Sequence, residues 1–135
     1  MLHLWGRLSS INVRKVVLCA QVIGLELPRT DAGLTHGVVN TPEYRANNPN
    51  GLVPLLQDGD FTLWESNAIV RYLCARYGAG ENPLYPVDLP QRFNAERWMD
   101  WQATDLNASW RGASRSSCRP LAVLRQVVPC RRPTP

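Results

Sequence analysis

The chain has 135 residues, 44% of them hydrophobic, which is about one domain by size with enough apolar side chains for a core. Its formal net charge of +4 is unevenly spread, because all 11 acidic residues lie at or before Asp105 while 6 of the 15 basic residues lie after it. Residues 1–108 therefore carry 9 basic and 11 acidic side chains, a net charge of −2, which argues against nucleic-acid binding by this part.

A strand, a serine-rich turn and a helix are predicted at the start of the chain. Residues 2–6 are mostly apolar and favour a short strand, and the turn over 7–11 contains Ser9 and Ser10. A helix over 12–23 is predicted from apolar residues at helical spacing, namely Val13, Val16, Val17, Ala20 and Ile23. The serine hydroxyls therefore lie at a helix N-terminus, which attracts anions.

The next part of the chain is predicted to contain a second strand, a short helix, a β-hairpin and a long helix. The second strand is expected over 26–29, and Thr41 begins the short helix with Pro42 at its first position. The hairpin spans 52–64 and the long helix 67–77. This order, a βαβ unit followed by ββα, predicts the α/β fold class.

Two places in this part carry residue types that suit a ligand. Pro54 cannot donate to a strand ladder, so it must lie at a strand edge or irregularity, where a cis bond would turn unpaired backbone toward a ligand. Glu65 can pair with an ammonium, and the Ser66 hydroxyl with the helix N-terminus can bind a carboxylate. The pair can thus hold an amino-acid zwitterion, although Ser66 could instead be an ordinary N-cap.

A linker, one helix and a basic tail are predicted for the rest of the chain. Residues 79–90 are rich in Gly and Pro and favour a linker, and 91–108 favour the first helix of an incomplete all-α domain. Residues 109–135 contain no acid and show no regular period, so disorder is expected. A shifted reading frame or a truncated gene would leave such a tail. The alternative is a basic RNA-binding tail, but aromatic residues for stacking are absent beyond Trp110.

Two motifs carry a resemblance to a known family. Asn-Pro-Asn-Gly-Leu-Val-Pro at 48–54 and Trp-Glu-Ser-Asn-Ala-Ile at 64–69 resemble the N-terminal domain of the glutathione transferases, and 97–107 resemble the first helix of that family's C-terminal domain. Residues 1–108 look like a Ser-type member, theta- or beta-like and bacterial. The resemblance implies a thioredoxin-like, glutathione-binding domain over 1–78.

The resemblance also implies how the second half of this domain binds glutathione. The bond between Val53 and Pro54 would be cis, and the Val53 backbone would pair with the cysteinyl part of glutathione. Glu65 and Ser66 would hold the γ-glutamyl end. Many family members have a polar residue before the Val-Pro pair that helps to hold glutathione, whereas this chain has Leu52.

The first half of the domain would supply the catalytic residue. Counted back from Gly24 and Leu25, the hydroxyl that steadies the glutathione thiolate falls on Ser10 rather than Ser9. Asn12 would be a second donor in the site, or else an ordinary helix cap or turn residue.

The function implied is conjugation of glutathione, as a co-substrate and without a metal, to an electrophilic small molecule, as in detoxification. Its partners would be glutathione and the electrophile, and neither nucleic acid nor a membrane would be involved. A homodimer is compatible with this function. Truncation of the chain could impair turnover. One alternative is a non-catalytic glutathione-binding or protein-interaction module. Another is the maleylacetoacetate isomerase branch, which carries Ser-Ser-Cys where this chain has Ser9, Ser10 and Ile11.

The four cysteines form no Cys-x-x-Cys pair, which argues against a dithiol redox centre and a zinc site. Cys19 and Cys74 fall in predicted helices, where we expect small buried hydrophobic residues. The apolar run over 16–27 is interrupted by polar residues and is too short to span a bilayer. A cytoplasmic location is expected.

Overall fold

The computed structural model of the chain describes residues 1–78 and 84–108. Its elements in chain order are β1 (Leu2–Trp5), α1 (Ile11–Val22), β2 (Arg29–Thr30), α2 (Pro42–Asn47), β3 (Leu55–Asp58), β4 (Phe61–Trp64), α3 (Ser66–Tyr77) and α4 (Leu89–Trp101). A 3-10 turn over Leu34–His36 follows β2, and a π-helical segment over Gln102–Leu106 follows α4. Within the described ranges, no helix has the length and apolar character needed to cross a membrane.

The four strands form one mixed sheet in the order β2-β1-β3-β4. β1 runs parallel to β2 and antiparallel to β3, and β3 and β4 form an antiparallel hairpin. A β1-α1-β2 unit followed by β3-β4-α3 is the thioredoxin-like arrangement. The predicted fold class is therefore confirmed.

At one end of this sheet, an end of each of the four strands lies in the same row. Trp5, the last residue of β1, lies opposite both Thr30 and Leu55, and Leu55 lies opposite Trp64. The carboxyl ends of β1, β2 and β4 therefore meet the start of β3. We call the edge formed by these four residues the site edge, because the segments that leave it carry the predicted site residues.

The apolar core lies where α1 and α3 pack together with the central strands. Its largest fully buried side chains are Leu4, Leu56, Ile69, Leu73, Val13 and Val16. Each helix contributes one apolar stripe at helical spacing, and burying each such side chain contributes about 1.5–3 kcal/mol. α1 follows β1 after a five-residue turn and α3 follows β4 after one residue, and both strands end at the site edge. This packing therefore also fixes the positions of the helix N-termini.

Some predicted boundaries shift by up to three residues. α1 begins at Ile11 rather than at residue 12, and β2 occupies Arg29–Thr30 rather than 26–29. α3 begins at Ser66, so the N-cap is Glu65. The alternative that Ser66 is an ordinary N-cap is therefore wrong.

The second helical region begins earlier than predicted. α4 starts at Leu89 rather than at residue 91, because the Asp88 carboxylate accepts a 3.0 Å hydrogen bond from the Gln91 N–H and caps the helix. The chain divides into two compact units, Met1–Glu96 and Arg97–Pro135. The predicted tail over 109–135 and residues 79–83 of the predicted linker lie outside the described residues.

Candidate functional site

Three segments that meet the site edge carry the predicted site residues. The turn with Ser10 follows β1, the bond between Val53 and Pro54 precedes β3, and Glu65 and Ser66 follow β4. Because the corresponding strand ends are paired across the sheet, the three segments lie at the same end of the domain.

Ser10 is the N-cap residue of α1, and its side chain makes no capping hydrogen bond. Its backbone is well held, since the N–H donates to the Arg7 carbonyl at 3.1 Å and the carbonyl accepts from the Arg14 N–H at 3.0 Å. The hydroxyl thus lies at the positive end of a 12-residue helix that does not use it. Ser9 is exposed in the preceding turn, and Asn12 is the second residue of the helix, so the cap alternative for Asn12 is wrong.

The peptide bond between Val53 and Pro54 is cis, as the resemblance implies. Pro54 is buried directly before β3, where its missing N–H removes no ladder bond. The backbone N–H and carbonyl of Val53 have no backbone partner among the residues that the structure describes. They can therefore exchange hydrogen bonds with a peptide-like ligand.

The segment before Val53 is anchored by residues of and beside α2. The Tyr44 hydroxyl and the Asn48 side-chain amide each donate to the Leu52 carbonyl at 2.7 Å, and both of these side chains are buried. Burial raises the pKa of Tyr44 to about 12, so its phenol remains a donor at neutral pH. The Asn48 side-chain oxygen in turn accepts the Asn50 N–H at 3.2 Å. These bonds hold the backbone next to Val53 in one conformation.

Gly6 brings the turn after β1 against the segment that carries Val53. A Cβ atom built on Gly6 would lie 2.5 Å from Cγ2 of Val13 and 3.3 Å from Cβ of Val53, and the φ of Gly6 is +155°. Only glycine fits this conformation and this approach without displacement. The turn that leads to Ser10 and the segment that carries Val53 are therefore neighbours.

Glu65 has a backbone conformation that is unusual for a residue with a side chain, with φ of 73° and ψ of 109°. Such strain tends to occur at ligand-binding sites. Its side chain is exposed and makes no capping bond, and Ser66, the first residue of α3, is only 6% exposed. An accessible carboxylate thus precedes a buried hydroxyl at a helix N-terminus.

Lys15 connects α1 to the start of α3, and the sequence did not predict this contact. Its ammonium donates a hydrogen bond to the side-chain oxygen of Asn67, the residue after Ser66. Burial lowers the pKa of Lys15, with the Glu65 carboxylate opposing the shift and the Arg71 guanidinium adding to it. One cation, Lys15, therefore lies near the Glu65 carboxylate, and a second, Arg71, lies near Lys15. No local pattern signals this, because the Lys15 contact joins residues 52 positions apart.

Cys19 and Cys74 are buried, as predicted, and their Sγ atoms lie 3.4 Å apart between α1 and α3. Burial, helped by the hydrogen bond with Cys74, raises the pKa of Cys19 to about 12. The Cys19 thiol is therefore protonated at neutral pH, and both side chains belong to the core. Among the described residues there is no cluster of three or more side chains suited to a metal ion, and Cys118 and Cys130 lie outside them.

Known proteins match this chain in sequence and in structure. Residues 1–75 match the family model described as the N-terminal domain of glutathione S-transferase. Glutathione S-transferase GstB of Escherichia coli (strain K12) is 47% identical over 115 residues, which are 83% of this chain and 54% of GstB.

Two solved structures show the same fold. The theta class glutathione S-transferase from the citrus canker pathogen Xanthomonas axonopodis pv. citri, with glutathione bound, has a TM-score of 0.78 and 43% identity, covering 90% of this chain and 57% of that chain. A delta-class glutathione transferase of Nilaparvata lugens has a TM-score of 0.78 and 29% identity, covering 94% of this chain and 61% of that chain.

The fold and the matched family model together show a thioredoxin-like domain of the class found at the N-terminus of glutathione transferases. The chain belongs to the glutathione S-transferase family. α4 corresponds to the long helix with which the C-terminal domain of these structural neighbours begins. The chain spans about half the length of the curated relatives that it matches.

Proposed function

We propose that this chain binds glutathione at the site edge and conjugates its thiolate to an electrophilic small molecule. The observation that carries this proposal is the backbone of Val53, which has no backbone partner within the described residues and lies against Gly6. A tripeptide paired with Val53 would bring its cysteinyl thiol toward the turn that leads to Ser10. The relative from Xanthomonas axonopodis pv. citri was solved with glutathione bound, which supports the same ligand here.

The start of α3 suits the γ-glutamyl end of glutathione. The exposed carboxylate of Glu65 can pair with the ligand ammonium, and the Ser66 hydroxyl and first N–H groups of α3 can donate to the ligand carboxylate. Lys15 adds positive charge near Glu65. Both charges of the zwitterion thus have complementary groups.

Ser10 is proposed to donate a hydrogen bond to the glutathione sulfur, with Asn12 as a second donor. A thiol with a pKa of about 8.5 is only a few per cent ionised at neutral pH, and the thiolate is the nucleophile. Lowering this pKa by about two units requires about 2.7 kcal/mol. A hydrogen bond to a charged group contributes about 1.5–3 kcal/mol and a helix N-terminus about 0.3–1 kcal/mol. Together, the hydrogen bond and the helix N-terminus can supply the free energy that this change in pKa requires.

In this reaction the serine is a donor and forms no covalent bond. The thiolate sulfur forms a bond to an electrophilic carbon, and the leaving group departs with its electron pair. Catalysis then consists of raising the fraction of glutathione that is thiolate. The reaction rate rises less than this fraction does, because the nucleophilicity of a thiolate falls as its pKa falls.

The proposal is tested by calorimetric titration of the 135-residue chain with glutathione, together with a conjugation assay on the same sample. We expect Glu65→Gln and Ser66→Ala each to weaken glutathione binding about tenfold or more, because each removes a hydrogen bond to a charged group. Ser10→Ala should lower the conjugation rate and change glutathione binding much less. Ser9→Ala is the matched control, since it removes an exposed hydroxyl from the same turn.

The outcomes separate two candidate functions. Binding with turnover supports a transferase, and binding without turnover supports a non-catalytic glutathione-binding module. A folded sample that does not bind glutathione contradicts both. The same proposal includes a glutathione-binding domain over 1–78, a second helical region that begins with α4 at Leu89, a homodimer and a cytoplasmic location.

A further inference from the structure

Cys19 and Cys74 are a pair of thiols for which the proposed reaction has no use. Their Sγ atoms lie 3.4 Å apart, although the two residues are 55 positions apart in the chain. The Cys19 Sγ also lies 3.9 Å from the carbonyl oxygen of Val70, one turn before Cys74 on α3. The Cys19 thiol therefore faces α3, and the packing of α1 on α3 brings together two thiols that no Cys-x-x-Cys motif joins.

The two thiols lie at the margin of the apolar core. Cys19 is 8% exposed and Cys74 is 6% exposed, whereas the other buried members of the same cluster have no exposed area. These other members are Leu4, Val13, Val16, Leu56, Ile69 and Leu73. Cys19 and Cys74 are thus the members of this cluster that lie nearest to solvent.

Each cysteine lies in the last turn of its helix. α1 ends three residues after Cys19, and α3 ends three residues after Cys74. The Cys19 carbonyl accepts a hydrogen bond from the Ile23 N–H at 3.1 Å, and the Cys74 carbonyl accepts one from the Gly78 N–H at 3.0 Å. Helix ends open locally at a smaller cost in free energy than the core of a domain. Opening of a last turn therefore exposes a thiol to solvent, where it can ionise, without unfolding the domain.

We propose that Cys19 and Cys74 form a reversible disulfide that links α1 to α3 when small-molecule disulfides are abundant. In the first step, one cysteine sulfur attacks a sulfur of the small disulfide, so that a mixed disulfide forms and one small thiol leaves with the proton. In the second step, the other cysteine sulfur attacks the protein sulfur of the mixed disulfide, and the second small thiol leaves with its proton. The two cysteines are oxidised, and the small disulfide is reduced to two thiols.

This link is expected to stabilise the fold and to leave the site edge unchanged. A bond between residues 55 positions apart removes conformational freedom from the unfolded chain, which favours the native state. By linkage, the native state favours the disulfide by the same factor. Cys19 lies nine positions after Ser10, which is about 13.5 Å along a helix axis. The disulfide therefore forms at the end of α1 that is remote from the site edge, whether or not the chain binds glutathione.

The test compares the native and unfolded states of the full 135-residue chain with Cys118 and Cys130 replaced by Ser. Samples are equilibrated with mercaptoethanol and its disulfide at a series of ratios, with and without concentrated urea. We expect half-oxidation of the native chain to need about thirtyfold or more less small disulfide, at the same thiol concentration, than half-oxidation in urea. The oxidised chain should also unfold at a higher urea concentration than the reduced chain, and reduction should restore the original midpoint.

Peptide mapping identifies the disulfide directly. After free thiols are alkylated, trypsin cuts after Lys and Arg and places Cys19 in the peptide 16–29 and Cys74 in the peptide 72–76. Mass spectrometry measures the fraction of these two peptides that are joined. A joined pair has lost two hydrogen atoms, whereas a mixed disulfide carries the mass of mercaptoethanol, so the two products are distinguished.

Cys74→Ala is the matched control. It should give no joined peptides and should unfold at the same urea concentration in oxidising and reducing buffers. A native chain that oxidises no more readily than the chain in urea, or that forms only mixed disulfides, would overturn the proposal. Equal urea midpoints for the oxidised and reduced chains would overturn it too. If Cys74→Ala does not fold, the comparison of native and unfolded states still decides, because it changes neither cysteine of the pair.

Discussion

The Tyr44 hydroxyl donates a 2.7 Å hydrogen bond to the carbonyl oxygen of Leu52, and the Asn48 amide donates to the same oxygen at 2.7 Å. Two buried side chains thus hold the residue that precedes Val53. The backbone of Val53, which follows in the same segment, has no backbone partner within the described ranges. We therefore expect both ligand binding and stability to depend on these two bonds together.

Tyr44→Phe should lower the free energy of unfolding by about 0.5–1.5 kcal/mol, because it removes one hydrogen bond and leaves the ring in place. Asn48→Ala should cost more, because its amide and side-chain oxygen bond both Leu52 and Asn50. Urea unfolding measures each variant and the double variant. Since the two donors share one acceptor, the double variant should deviate from the sum. Additive losses would contradict a shared anchor.

Gly6→Ala should reduce both stability and glutathione affinity. The added methyl group would lie 2.5 Å from Val13, which is fully buried, and 3.3 Å from Val53. We expect a loss of about 1–3 kcal/mol in urea unfolding, as for other overpacked sites. Gly59→Ala is the control, because Gly59 has φ of +60° with nothing within 4 Å of the added carbon. Gly59→Ala should lose stability only because of its backbone conformation, and it should keep its glutathione affinity. Equal glutathione affinities for the two variants would contradict the proposed contact between Gly6 and Val53.

Stability at low pH should depend on Asp58, whose carboxylate accepts hydrogen bonds from Tyr77 at 2.6 Å and from Tyr72 at 2.7 Å. The bond from Tyr77, followed by that from Tyr72, holds the pKa of Asp58 below its usual value. This contribution is present above the unfolded pKa of about 3.9 and is lost as the pH falls through the folded pKa. Thermal unfolding between about pH 5 and pH 2 should show a smaller acid dependence for Asp58→Asn. Asp60→Asn, in the same turn, is the control.

The same hydrogen bonds to Asp58 predict how the stability of the fold changes at high pH. The Asp58 carboxylate raises the pKa of both Tyr72 and Tyr77. Their contribution is therefore complete below the unfolded pKa of about 10 and is lost as the pH rises through the folded pKa. The double variant Tyr72→Phe, Tyr77→Phe should lose this alkaline dependence. An unchanged alkaline midpoint would show that these bonds do not form in solution.

The thiols of Cys19 and Cys74 should react slowly in the folded protein. In a variant with Cys118 and Cys130 replaced by Ser, an aromatic disulfide reagent at neutral pH should react at least about a hundredfold more slowly than with a free thiol. Both side chains are buried and so out of reach of the reagent, and burial also raises the pKa of Cys19. Both thiols should react fully in concentrated urea. A native reaction at the rate of free cysteine would contradict their burial between α1 and α3.

Much of the fold could be predicted because its signals are local. The helical spacing of Val13 and Val16 predicted α1, and the residues at 48–54 and 64–69 predicted the proline segment and the start of α3. The limits of α3 were less clear, because Glu65 caps the helix in a left-handed conformation that its residue type does not favour.

Contacts between distant parts of the chain could not be predicted from the sequence. Lys15 with Asn67 and Cys19 with Cys74 each join residues more than fifty positions apart, and they form because α1 and α3 pack together. Pattern and spacing therefore predicted the strands and helices whose ends meet at the site edge, whereas the positive charge of Lys15 near Glu65 emerged only from the assembled domain.

Ser10 is proposed to stabilise the thiolate of bound glutathione, and the pKa of that thiol reports on this role. The ultraviolet absorbance of the thiolate is followed against pH at saturating glutathione for the unaltered chain, Ser10→Ala and Ser9→Ala. We predict an apparent pKa clearly below the free value of about 8.5 for the unaltered chain and Ser9→Ala, and a return toward the free value for Ser10→Ala. The same thiol pKa in Ser10→Ala and the unaltered chain would contradict the account.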